Sequence, residues 1–162
     1  MNLLSGISLL ILFISTTQTL AGNYTDWRKT GTASEKQENL IRALPGTSNH
    51  MLQVGERYRN LYWAAKQNKW AFAEYQLEEI GELIKTVGIT RPKRKTTSDQ
   101  FLSTAFTLFP DAIKNKNQSQ FETAFKHMRA QCLICHAKND HSFITLPSTP
   151  GMGSSLVLES SE

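Results

Sequence analysis

Ser119-Gln120-Phe121-Glu122-Thr123-Ala124-Phe125-Lys126-His127-Met128-Arg129-Ala130-Gln131-Cys132-Leu133-Ile134-Cys135-His136-Ala137-Lys138 is the stretch that decides the fold. Phe121, Phe125, Met128, Cys132 and Cys135 recur at intervals of three and four, with His136 beside them. That spacing stacks side chains on one face of an α-helix. Ser119 and Glu122 match a capping box, in which each side chain satisfies the other residue's backbone donor. The pattern predicts a helix over roughly 120–138.

Three further helices are expected upstream. Met51, Val54, Tyr58, Leu61, Tyr62 and Ala65 share a face over roughly 49–67, with Thr47, Ser48 or Asn49 to cap it. Trp70, Ala73, Leu77, Ile80 and Ile84 do the same over roughly 69–87, opened by Asn68 and stopped by Gly88. After the basic run Arg91-Pro92-Lys93-Arg94-Lys95, Thr97 or Ser98 opens a helix whose inner side is Leu102, Ala105, Phe106, Phe109 and Ile113. Pro110 lacks a backbone donor, so a break is expected near it. No run of alternating strand residues competes. Four amphipathic helices with short connections predict an all-α, antiparallel four-helix bundle, an architecture that builds cofactor sites in its core.

The ends of the chain read differently. Leu3 to Ile14 is nearly all apolar but too short to span a bilayer comfortably, and Thr19 and Ala21 offer a small-residue cleavage site. Residues 1–21 are therefore expected to be a secretory signal peptide, which points to the periplasm. Residues 22–48 read as an arm with a short helix near Glu35–Ala43, from which Leu40, Ile41 and Leu44 would pack on the domain. The folded helical domain is expected over 49–140, and the Ser-, Pro- and Gly-rich stretch 141–162 as a flexible tail. No other segment has the length and apolarity of a membrane span. A net charge of +4 is mildly basic and carries no nucleic-acid signature. Paired carboxylates, an activated nucleophile and a phosphate loop are all missing, so an enzyme of hydrolytic or transfer chemistry is not expected.

Cys132-Leu133-Ile134-Cys135-His136 is the C-x-x-C-H pattern of c-type haem attachment, and it uses both cysteines of the chain. The two thiols are the groups that form thioethers with the porphyrin, and the imidazole binds iron. Other uses of the cysteines fit less well. A thioredoxin-like pair would sit in a strand–helix context. Zinc would need four ligands, with His127 and His141 recruited at an unfamiliar spacing. A disulfide closing so short a loop would add little constraint. One haem c, held by Cys132 and Cys135 with His136 on the iron, is the expected cofactor.

On these residues the chain resembles the cytochrome c′ family, the class II c-type cytochromes, over roughly 49–138. The resemblance implies a bundle with the haem motif on its last helix and the first helix covering the other haem face. It also leaves a homodimer open, since such bundles often pair through their first two helices. Met51 stands at the start of the first helix, which an antiparallel bundle sets beside the end of the last, and is the candidate second axial ligand. Its plain alternative is a core methionine.

Several other residues are weaker candidates for that position. Met128 lies eight residues before His136, about 12 Å along the same helix at ~1.5 Å per residue. His50 points about 100° away from Met51. His141 and Met152 would need the tail to wrap the haem. His127 reads as a surface residue.

A His/Met pair favours electron transfer with a redox partner protein. A vacant sixth position would instead bind nitric oxide or carbon monoxide, and a peroxidase would need His50 as its distal base. Arg91, Lys93, Arg94 and Lys95 are either a solvated loop or a steering patch for an acidic partner. Tyr58, Tyr62, Trp63 and Trp70 are core residues or haem-lining ones. Arg57, Arg59 and Lys138 are candidates to pair with the haem propionates.

Overall fold

The computed structural model describes residues 26–152. The expected leader lies outside them, as do residues 22–25 and 153–162. The chain divides into two compact units, Met1–Arg42 and Ala43–Glu162. Both are helical, and no strand occurs among the described residues.

In the first unit, α1 (Trp27–Thr30) and α2 (Ala33–Ala43) contain no buried residue. Asp26 caps α1, its carboxylate accepting from the Arg28 backbone. A true capping box opens α2: Glu35 accepts from Thr32 N at 2.7 Å, and Thr32 Oγ1 accepts from Glu35 N at 3.2 Å. Leu40, Ile41 and Leu44 are exposed.

The second unit is all-α. It comprises α3 (Thr47–Lys66), α4 (Trp70–Thr90), α5 (Lys95–Ala105), α6 (Phe109–Lys114) and α7 (Gln118–Lys138), with a 3-10 turn at Pro92–Arg94. α3 packs on α4, α4 on α5, and α5 and α6 on α7. α3 and α7 meet mainly through side chains, Tyr58 and Tyr62 on Phe125 and Lys66 on Glu122. The interior is built largely from the predicted stripes: Leu61, Ala73, Ile80, Ala105, Phe109, Phe121, Phe125 and Met128 are essentially inaccessible. They are joined by Ala64, Ala112 and Ala124 outside those stripes, and on α5 Phe101 is buried where Leu102 and Phe106 are only partly so. Phe121 sits 5.7 Å from Phe109, 5.9 Å from Phe125 and 6.1 Å from Trp70 between ring centres, while Phe125 stacks on Tyr58 at 4.3 Å. Such aromatic contacts add about 0.5–1.5 kcal/mol each beyond burial.

The helix ends depart from several expectations. α7 is capped by Asn117, whose side chain accepts from Gln120 N at 3.0 Å, so it starts earlier than the Ser119–Glu122 box implied. Glu122 instead pairs with Lys66 across to α3. Gly46 precedes α3 and leaves Thr47, Ser48 and Asn49 inside its first turn. Asn68 forms the left-handed reversal (φ 60°) between α3 and α4 rather than capping the latter. α4 runs through Gly88 to Thr90. Gly88 lies against α5, where an added Cβ would stand 3.6 Å from Lys95 Cα, so it allows close helix approach rather than termination. α5 begins at Lys95, ahead of Thr97 and Ser98. The break near Pro110 is present: the chain leaves the helix after Ala105, and Pro110 falls in the first turn of α6, where no donor is needed.

Candidate functional site

The end of α7, the start of α3, the far half of α4 and the start of α5 enclose a cavity of about 650 Å³. That is within the ~300–1,000 Å³ of small-molecule and cofactor sites. Its walls are mostly apolar: Met51, Val54, Ile80, Ile84, Val87, Phe101 and Met128 contribute, each from the inner stripe of its helix. Cys132, Cys135, His136 and Met51 all line it. Residues from the first and last predicted helices are thus brought to one space.

α7 places the motif. Cys132 is buried and Cys135 half-buried, and both thiols are free. Burial, then the neighbouring Cys135, pushes the Cys132 thiol up to about 12. Burial also raises Cys135, opposed by its hydrogen bonds to Thr97 and Asn139 and by the charges of Arg94 and Lys138. Neither cysteine is therefore an activated thiolate near neutral pH, the property a redox or nucleophilic cysteine requires. Among the described residues no group of three or more His, Cys, Asp or Glu is placed to hold a metal ion.

His136 is held by the chain just beyond α7. Its Nδ1 lies 3.1 Å from the carbonyl oxygen of Ile144. A carbonyl only accepts, so Nδ1 is the donor, and in the neutral ring that leaves the lone pair on Nε2. Asn139, at the end of α7, ties the motif to α5: its amide donates to Cys135 O at 2.8 Å and to Thr97 Oγ1 at 3.0 Å, and its Oδ1 accepts from Arg94 at 2.6 Å.

The chain matches no known family model, curated protein or solved structure. The site must therefore be read from its own residues.

The other sequence candidates sort by position. Met128 is buried in the lining, and His141 also lines the cavity, with Nδ1 against Asn139 O. Met152 is exposed. His50 is buried but outside the lining, and neither ring nitrogen has a hydrogen-bond partner. His127 is only partly exposed, held 3.0 Å from Thr104 O. Among the basic candidates Arg59 is in the lining and is paired with Glu56 one turn away, Arg57 pairs with Glu79 at 3.0 Å and Lys138 with Gln100 at 2.8 Å. Arg94, from the basic run, also lines the cavity. In the same run Arg91 holds Leu44 O at 2.9 Å and Lys95 pairs with Asp99 at 2.8 Å, so most of its charges are engaged structurally. Tyr58 lines the cavity, while Trp70 packs on Phe121 in the filled core.

Residues 141–152, expected to be loose, are held by side chains of α3 and α7. Besides the Ile144 contact, Arg129 Nε donates to Leu146 O at 2.7 Å, Tyr58 Oη to Pro147 O at 3.3 Å and Trp63 Nε1 to Pro150 O at 3.0 Å. Sequence reasoning missed this because the acceptors are main-chain carbonyls, which any residue supplies. The one available signal was Pro147 and Pro150, which stiffen an extended segment.

Proposed function

We propose that this chain is an exported, periplasmic monohaem c-type cytochrome that carries electrons, built as an antiparallel four-helix bundle around its haem. The observation that carries this reading is the convergence of Cys132, Cys135, His136 and Met51 on one apolar cavity of about 650 Å³. The donor set fits the group. Two reduced thiols stand three residues apart on one helix face, and one imidazole has its Nε2 lone pair free. Met51 brings a neutral thioether from a different helix. Cys132 and Cys135 would hold the porphyrin covalently and His136 would bind its iron. Bound iron porphyrin supplies a one-electron couple, whose potential a thioether ligand raises.

The chain's own residues do the rest. Ile80, Ile84, Val87, Phe101 and Met128 give the cavity its apolar wall. Arg59 and Arg94 place positive charge in the lining, suited to carboxylates at the porphyrin edge. The Arg59 guanidinium also pairs with Glu56, and its buried Nε, which has no hydrogen-bond partner, is the donor left for such a carboxylate. No helix among the described residues is long and apolar enough to cross a membrane, which agrees with a carrier released after export. The peroxidase reading loses support, because His50 lies outside the cavity lining.

The test is absorption spectroscopy of the exported protein, ferric and ferrous, with and without carbon monoxide. The expected result is haem that survives denaturation and acid extraction, a low-spin ferric spectrum and no response to carbon monoxide. Met51→Ala should convert it to a high-spin form that binds carbon monoxide at once. A high-spin spectrum with immediate binding in the unmodified protein would instead establish the gas-binding alternative. Absence of covalent haem would end both.

A further inference from the structure

We propose that residues 144–150 form a strap that positions the His136 imidazole and supplies the cavity wall that α3 and α7 do not close between themselves. This deepens the reading of His136 as the iron ligand and rests on it for its functional meaning.

Four observations combine. The ring and ion-pair contacts between α3 and α7, Tyr58 and Tyr62 on Phe125 and Lys66 on Glu122, fall in the first half of α7, while the inner faces of both helices border the cavity nearer its end. Ile144, Thr145, Leu146, Pro147 and Pro150 line that cavity. Donors on both helices hold the segment at intervals: His136 and Arg129 on α7 bind Ile144 O and Leu146 O, while Tyr58 and Trp63 on α3 bind Pro147 O and Pro150 O. The anchors thus pass from one helix to the other along the strap. Finally, Pro147 and Pro150 restrict the backbone and remove two donors, leaving carbonyls as the groups on offer.

The consequence for His136 is chemical. An imidazole free in water prefers its proton on Nε2. The Ile144 carbonyl selects the opposite tautomer and fixes the ring's rotation. A hydrogen bond at Nδ1 also raises the basicity of the ligating nitrogen. Ile144 is therefore a positioning residue acting through its main chain, and side-chain substitution there would not remove the bond. The strap must be released as a unit.

Two variants do so. One ends the chain after Ser142. The other keeps every strap residue but removes three anchors: Tyr58→Phe, Trp63→Phe and Arg129→Met. The readout is the His136 tautomer, from nitrogen-15 shifts of the haem-free full-length protein and of both variants. The expected result is Nδ1–H in the full-length chain and a shift toward Nε2–H in each variant, with faster proteolysis after residue 142 in the triple variant. If the truncated chain does not fold, the triple variant carries the comparison. Nε2–H in the folded full-length protein overturns the proposal outright, as does an unchanged tautomer in a folded variant with a released strap. A strap-dependent tautomer in a protein that takes no haem would sink the cytochrome reading and leave the strap standing. Covalent haem with a strap-independent tautomer would do the reverse.

Discussion

The two halves of α7 carry the same kind of stripe and do opposite things with it. Near its start, Phe121 and Phe125 meet Phe109, Trp70 and Tyr58, and the space is filled. Near its end, Cys132, Cys135 and His136 face a cavity of about 650 Å³. Residues equally apolar line both regions: Ile80, Phe101 and Met128 belong to the core and border the cavity as well. Protein interiors pack as densely as organic crystals and tolerate few voids. A space of this size beside a well-packed core, bordered by the only two thiols of the chain, is the observation on which the proposed site rests. One half of the helix supplies stability, and the other reserves volume.

The largest expected effect tests the filled half. Phe121→Ala removes a wholly buried ring that touches three other aromatic side chains. The loss should be about 3–5 kcal/mol in urea denaturation of the haem-free protein. A loss under about 1 kcal/mol would mean that this region is as loosely filled as the cavity end, and the contrast would fail.

The cavity half responds to pH instead. The Cys132 thiol is pushed up to about 12, chiefly by burial. An unfolded cysteine ionises near ~8.5. Between these values the folded chain keeps a proton that the unfolded chain gives up. The stabilisation is therefore intact below the unfolded value and is lost as pH climbs toward the folded one. Its slope is at most about 1.4 kcal/mol per pH unit. Stability of the haem-free protein, followed from about pH 8.5 to 11 against Cys132→Ala, isolates it from other titrating groups. The variant should lose less stability over that range. Parallel curves would show that Cys132 meets water in the folded chain. The thioether-linked protein, having no thiol, should match the variant.

Much of this contrast was legible in the sequence, and for definite reasons. The stripes through Tyr58 and Leu61, Leu77 and Ile80, and Phe121 and Phe125 follow helical periods, and each lies in the core as expected. Helix ends were less legible because they depend on backbone partners: Asn117 caps α7 although Ser119 and Glu122 form the better sequence match. Periodicity also cannot separate a filled core from a cavity wall, since both require apolar side chains. Cys132, Cys135, His136 and Met51 were identified from residue chemistry and meet at one cavity. Asn139 and the strap were not, because their roles run through amide and carbonyl groups that carry no mark of residue type.

The smallest expected effect separates cavity wall from core at one atom. Gly55 lies in the middle of α3 and lines the cavity, and a Cβ added there meets nothing within 4 Å. Glycine inside a helix costs roughly 0.5–1 kcal/mol relative to alanine, mainly through unfolded-state entropy. Gly55→Ala should therefore raise the stability of the haem-free protein by about that amount, with no steric offset. Gly88 provides the control, since its added Cβ would enter the α4–α5 contact at 3.6 Å from Lys95 Cα and 3.7 Å from Ser98 Cβ. Its gain would include new packing as well as propensity. If Gly55→Ala destabilises the haem-free chain in urea, the methyl is meeting atoms where the open space should be. The cavity would then be smaller at that wall than a cofactor needs.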